Sequence, residues 1–197
     1  MDLGASAAHR RVLEMTARGQ ADQDTLAAWL SPGERAARGE LHAWSARDHI
    51  AHNNFWRQDA LNRLTAARDG STPPAEVEDE DAQNDRTFEA QRDTPWDALV
   101  AETGRLRAGT DAVIEQLSAD QVARQEILVF INWYDHPAEH WTDVYLRRGE
   151  VDRAIELRRA VAATARDLLG HRPERYGYML DKVRELCAAH DRPLVEP

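Results

Sequence analysis

The sequence predicts an all-α protein, and three observations carry that prediction. Apolar residues recur at helical spacing along most of the chain, no run alternates apolar and polar residues as a half-buried strand does, and the interruptions hold residues that start or stop helices. With several long helices joined by loops, the simplest packing is a bundle around a shared core.

Taken in order, Ala8, Val12 and Met15 place a first helix over about residues 5–18. An Asp/Gln-rich break then precedes a short apolar piece over 25–30, which Ser31, Pro32 and Gly33 end. Ser45, followed three residues later by Asp48, reads as a capping box opening a long helix that runs to about Arg68 and stops at Asp69-Gly70. Residues 71–74 open a linker, and the acidic run 76–81 beside Pro73-Pro74 reads as solvated surface. Thr94-Pro95 starts another helix, with Pro at its first position and Trp96, Leu99, Val100, Leu106, Val113, Ile114 and Leu117 on its core face. Ser118, Ala119 and Asp120 break it. A fourth long helix is expected over 126–148, with Pro137 as a kink or first turn and Gly149 as its close. Val151, Ile155, Leu157, Val161, Leu168 and Leu169 mark a fifth, and Tyr178, Leu180, Val183 and Leu186 a short sixth.

Composition narrows the function classes. At 197 residues the chain suits one domain, or one with an appendage. Hydrophobic content of 42% beside 30% charged residues is that of a soluble protein, and no apolar run approaches the ~20 residues of a membrane span. The first six residues lack the order of a secretory signal, and a single cysteine, Cys187, supports no internal disulfide, so a reducing cytoplasm is the expected setting. A net charge of −10 with scattered arginines argues against nucleic acid. Exposed helical faces are compatible with a homodimer.

Chemistry concentrates around His136 and His140. Four residues apart, they share a helix face with Val129, Trp133 and Val144, which turns both rings toward the apolar side. Buried imidazoles need partners, and neutral ring nitrogens one turn apart converge naturally on a metal ion at about 2.0–2.1 Å. A third ligand is required from another helix. The stretch from Trp44 to Trp56 offers His49 and His52, with helical periodicity leaning slightly to His49. His9, His42, His171 and His190 stand alone near helix ends or turns and read as solvated or locally bonded, and Cys187 reads as a structural thiol.

These two stretches resemble the DinB-like (YfiT-like) four-helix-bundle proteins, a family of metal-dependent enzymes. There, a helix opening with Trp-Ser/Thr reaches a ligand histidine eight residues after the Trp, as Trp44-Ser45 reaches His52 here. A later helix carries His-x-x-x-His with an acid before the second histidine, matched by His136, Glu139 and His140. The resemblance implies that His52, His136 and His140 are the metal ligands. It implies a four-helix bundle over residues 1–149, to which residues 150–197 add a C-terminal helical extension packed on it. Pro137 within the ligand motif and that extension depart from the family pattern.

Three neutral ligands leave a zinc or nickel ion its full charge and an open position, so a bound water is acidified toward pKa ~7 or a thiol binds as thiolate. The implied activity is that of a hydrolase, or of a transferase using a low-molecular-weight thiol, acting on a small-molecule substrate. Asp59, Asp135, Glu139 and Asp143 are candidate acceptors for the outer imidazole N–H groups, and Trp56, Trp133 and Trp141 candidate pocket walls. Asn53-Asn54-Phe55-Trp56 and Asn132-Trp133-Tyr134 also resemble the ClbS-like branch, in which a similar bundle works without clear need of metal. That alternative makes the chain a small-molecule-binding or interaction bundle with hydrogen-bonded histidines. A third reading has residues 150–190 as a helical hairpin that docks another chain.

Overall fold

A computed structural model describes residues 3–195, with side chains from residue 7 onward. Met1, Asp2, Glu196 and Pro197, which belong to the leader and C-terminal extension readings above, lie outside the described residues. Among those described, every regular element is helical, apart from an isolated bridge between Glu40 and Ala43.

Helix α1 (Leu3–Trp29) is one unbroken element of 27 residues, so the break expected after residue 18 does not form. Gly19 and the polar residues Asp22, Gln23 and Asp24 lower helix propensity by only tenths of a kcal/mol to about 1 kcal/mol each. Burial of Met15 and Leu26 on one face outweighs that. Ser31 then makes a capping box with Glu34 and starts the short α2 (Pro32–Ala36), so the Ser-Pro-Gly stop is also a start. Helix α3 (Ala46–Asp69) opens on the Ser45/Asp48 capping box and ends on Gly70 in the left-handed region, φ 66°, as its sequence predicts.

The segment read as linker holds a helix, α4 (Glu80–Gln91). Asp79 accepts from the Ala82 N–H, and Glu80 and Asp81 fall in its first turn, where negative charge meets the helix dipole. The acidic residues stay exposed, but half of the run is a helix start. Helix α5 (Trp96–Gln116) follows Pro95, which is its cap rather than its first residue. Ser118 breaks the chain only to cap the next helix through Gln121, so α6 (Ala119–Phe130) begins seven residues before the expected start. A π-helical turn (Ile131–Asp135) then leads directly into α7 (His136–Arg147), followed by α8 (Val151–Leu168) and α9 (Pro173–Ala189).

The chain forms two compact units, residues 1–137 and 138–197, the division falling inside α7. In the first, α1 packs on α5 and α6, α3 packs on α5 and α6, and α4 lies against α3. Four long helices thus close a ring around Met15, Leu26, Ile50, Leu64, Leu106, Ile114 and Phe130, all nearly or fully buried. In the second, α8 packs on α9, and Val161, Ala162, Leu169, Met179 and Val183 are buried. No described helix is long and apolar enough to cross a membrane.

Candidate metal centre

His52 lies in the second turn of α3, where the Ser45 cap sets the helix phase, and only 4% of it is exposed. The Trp44 ring sits 4.8 Å from its ring and that of Trp56 6.3 Å. Asn84, on α4, hydrogen-bonds His52 and also accepts from Trp56 Nε1 at 3.2 Å. His136 is the first residue after the π turn, which packs on α3 and α1. Its Nε2 lies 3.0 Å from Nε2 of His52. His140 follows one turn along α7, and one ring nitrogen from each of the three histidines lies within 4.8 Å of the others.

Electrostatics keep the first two rings neutral. Burial pushes His52 down to about 3, helped by the neighbouring imidazoles of His136 and His49 and opposed by the bond to Asn84. Burial also lowers His136 to about 4, and the positive charge of Arg57 acts in the same direction. At neutral pH neither ring carries the proton that would compete with a cation.

The donor set fits a divalent ion. Tetrahedral zinc at about 2.0–2.1 Å from each nitrogen separates ligand atoms by roughly 3.3–3.4 Å. The His52–His136 pair already stands close to that spacing. The trio's outer limit of 4.8 Å requires one ring to close in by about 1 Å or more, within reach of side-chain rotation. The same 3.0 Å approach also satisfies a direct hydrogen bond between the two neutral imidazoles, one donating and one accepting.

His49 lies outside this group: it is 4% exposed and meets Trp44 edge-on at 5.6 Å. Asp59 is held by Arg63 at 2.6 Å, while Glu139 and Asp143 are exposed and Asp135 is buried beside His136. Trp133 and Trp141 are fully buried core residues, and Trp56, the third tryptophan expected as a wall, borders the His52 ring. Asn84 was not anticipated, because its segment reads as linker. The available signal was Asp79, a good cap residue three positions before Ala82. A cavity of about 640 Å³ lies on another face of α3, against α4 and α5, lined by Ala51, Asn54, Phe55, Gln58, Arg86 and Leu99 among others. None of the three histidines lines it. His9 bonds the Leu117 carbonyl at 2.9 Å, His42 is exposed near Asp85, and Cys187 is buried.

Compared with known proteins, the chain matches no family model, no curated protein and no solved structure.

Proposed function

We propose that this chain is a metal-dependent enzyme of the DinB-like type, in which His52, His136 and His140 hold a zinc or nickel ion. It acts on a small molecule, as a hydrolase or a thiol-dependent transferase. The observation that carries this reading is the convergence of three ring nitrogens, from two helices remote in sequence, within 4.8 Å of one another.

A divalent ion bound there supplies Lewis acidity toward a water or a thiol. The protein's part is orientation and exclusion. Asn84 stands beside the His52 ring and accepts the Trp56 indole N–H, which holds that wall of the site in place. Trp44 and Trp56 shield His52 from water, whereas His136 and His140 are only half buried and leave the approach for substrate on their side.

A second reading, favoured by the 3.0 Å His52–His136 approach, is the ClbS-like one: a metal-free bundle that binds a small molecule, with the two imidazoles bonded to each other. Elemental analysis of protein purified without an affinity tag separates the two. Stoichiometric metal that is lost in His140→Ala supports the metalloenzyme. Metal-free wild type whose stability is unchanged by chelator removes it and leaves the second reading.

A further inference from the structure

Arg57, five residues after His52 on α3, is fully buried. Its guanidinium lies over the Trp133 ring, 4.6 Å from the centroid, and its Nη1 donates to Gln23 Oε1 at 2.7 Å. That glutamine is fixed in turn: its Nε2 reaches Thr103 at 3.2 Å, Thr103 donates to Asn54 Oδ1 at 2.7 Å, and Asn54 donates to the Leu99 carbonyl at 2.9 Å. The chain of bonds holds one edge of the guanidinium rigidly. The other edge, Nε and Nη2, meets no acceptor among the described residues. One turn back on the same strip of α3, the wholly buried Asn53 also has neither side-chain polar atom bonded. A buried cation without a counter-charge is strongly unfavourable, and a buried amide without partners adds to that.

We propose that the unpaired edge of Arg57, with Asn53, binds the carboxylate of a small molecule. Two parallel N–H donors on one guanidinium edge match the two coplanar oxygens of a carboxylate, and a bidentate pair of this kind is the strong form of the interaction. Arg57 shares α3 with His52 and lies over Trp133, three residues before His136, so the rest of the bound molecule lies toward these two histidines. This assignment rests on the metal-centre reading only in calling that molecule the substrate.

The test uses full-length protein stripped with chelator, titrated with acetate at constant ionic strength, and followed by the indole N–H signal of Trp133. A saturable shift is expected. Arg57→Lys keeps the charge but loses the two-donor edge, and should weaken binding at least tenfold; Asn53→Ala should weaken it several-fold. Should Arg57→Lys fail to fold, Arg57→Met and Asn53→Ala carry the comparison. Absence of saturation, equal binding by Arg57→Lys, or chloride and phosphate binding as tightly as acetate would each overturn the proposal. Repeating the titration with zinc separates the two ideas: acetate binding without zinc binding retires the metal centre alone, and zinc binding without an acetate response retires the carboxylate site alone.

Discussion

Gly19→Ala is the sharpest perturbation of the scaffold that carries His136. Gly19 is buried in the middle of α1, facing the π turn, and a methyl group there would overlap the Trp133 carbonyl oxygen and stand 2.7 Å from its carbon. Comfortable carbon–oxygen contact is about 3.3 Å or more, so α1 and the turn must separate by roughly 1.5 Å. Both sides of the contact are backbone and cannot rotate away. Overpacking of this kind costs about 1–3 kcal/mol or more, against a gain of about 1 kcal/mol from replacing a mid-helix glycine. A net loss of about 2 kcal/mol is expected in the denaturant midpoint at unchanged slope, together with weaker zinc binding, because the displaced turn ends at His136. Gly104→Ala on α5 is the control: a methyl there meets nothing within 4 Å, so it should gain up to about 1 kcal/mol. If Gly19→Ala is as stable as Gly104→Ala, the reasoning fails.

Loss of a ligand in His52→Ala or His136→Ala should cost far more zinc affinity than Asn84→Ala, which removes only a neighbour of the His52 ring; calorimetric titration ranks the three. In chelator, stability should fall as pH drops from 7 to 5. The folded His52 and His136 titrate near 3 and 4, below the unfolded value, so the unfolded chain binds more protons in that window. The effect is on the order of 2 kcal/mol per ring at pH 5, and His52→Gln with His136→Gln should flatten the profile. Asp22 works in the opposite sense: burial raises it to about 6, with Arg18 opposing, so its carboxylate destabilises the fold increasingly from pH 4 to 6. Asp22→Asn should therefore leave stability unchanged at pH 4 and raise it by about 1–3 kcal/mol at pH 8, read from urea midpoints.

What could be read from the chain follows the strength of local signals. Ser45 with Asp48 and Gly70 mark α3 because a capping box and a left-handed terminator act over three or four residues. The Ser118/Gln121 box is as local, but the preceding helix ends at the same point, and in sequence the stop masks the start. Helix α4 escaped because its acidic start resembles solvated linker, and its hold on α3 comes from contacts absent from any short window: Trp56 to Asn84, and Arg47 to the carbonyls of Gln91 and Arg92. The His136/His140 pair is visible in spacing alone. Periodicity does not settle the choice between His49 and His52, both 4% exposed and on α3; the resemblance points to His52 through its spacing from Trp44, and in the structure it is His52 that His136 approaches. Arg57 gave no signal at all: a lone arginine in an amphipathic helix reads as surface, and its burial depends on Gln23 and Trp133 from two other elements.

Pro137 links these observations. A regular α-helix would bond the Trp133 carbonyl to the N–H of residue 137, which proline lacks, and the proline ring would press on that carbonyl. The π turn widens the loop instead, with the His136 N–H reaching back five residues to Ile131, and Gly19 gives the Trp133 carbonyl room. An extra residue in one turn rotates everything after it by about 100° relative to an unbroken 3.6-residue pattern. The stripe expected through Trp133, His136, His140 and Val144 is accordingly displaced: beyond the turn the most buried positions are Ala138 and Trp141, and His136 and His140 stand at the stripe's margin, half exposed. That margin suits a ligand. A fully buried pair would be closed to substrate, and a fully exposed pair would hold protons near neutral pH. The interruption in the histidine motif is thus what sets the two rings partly inside the protein and partly toward solvent.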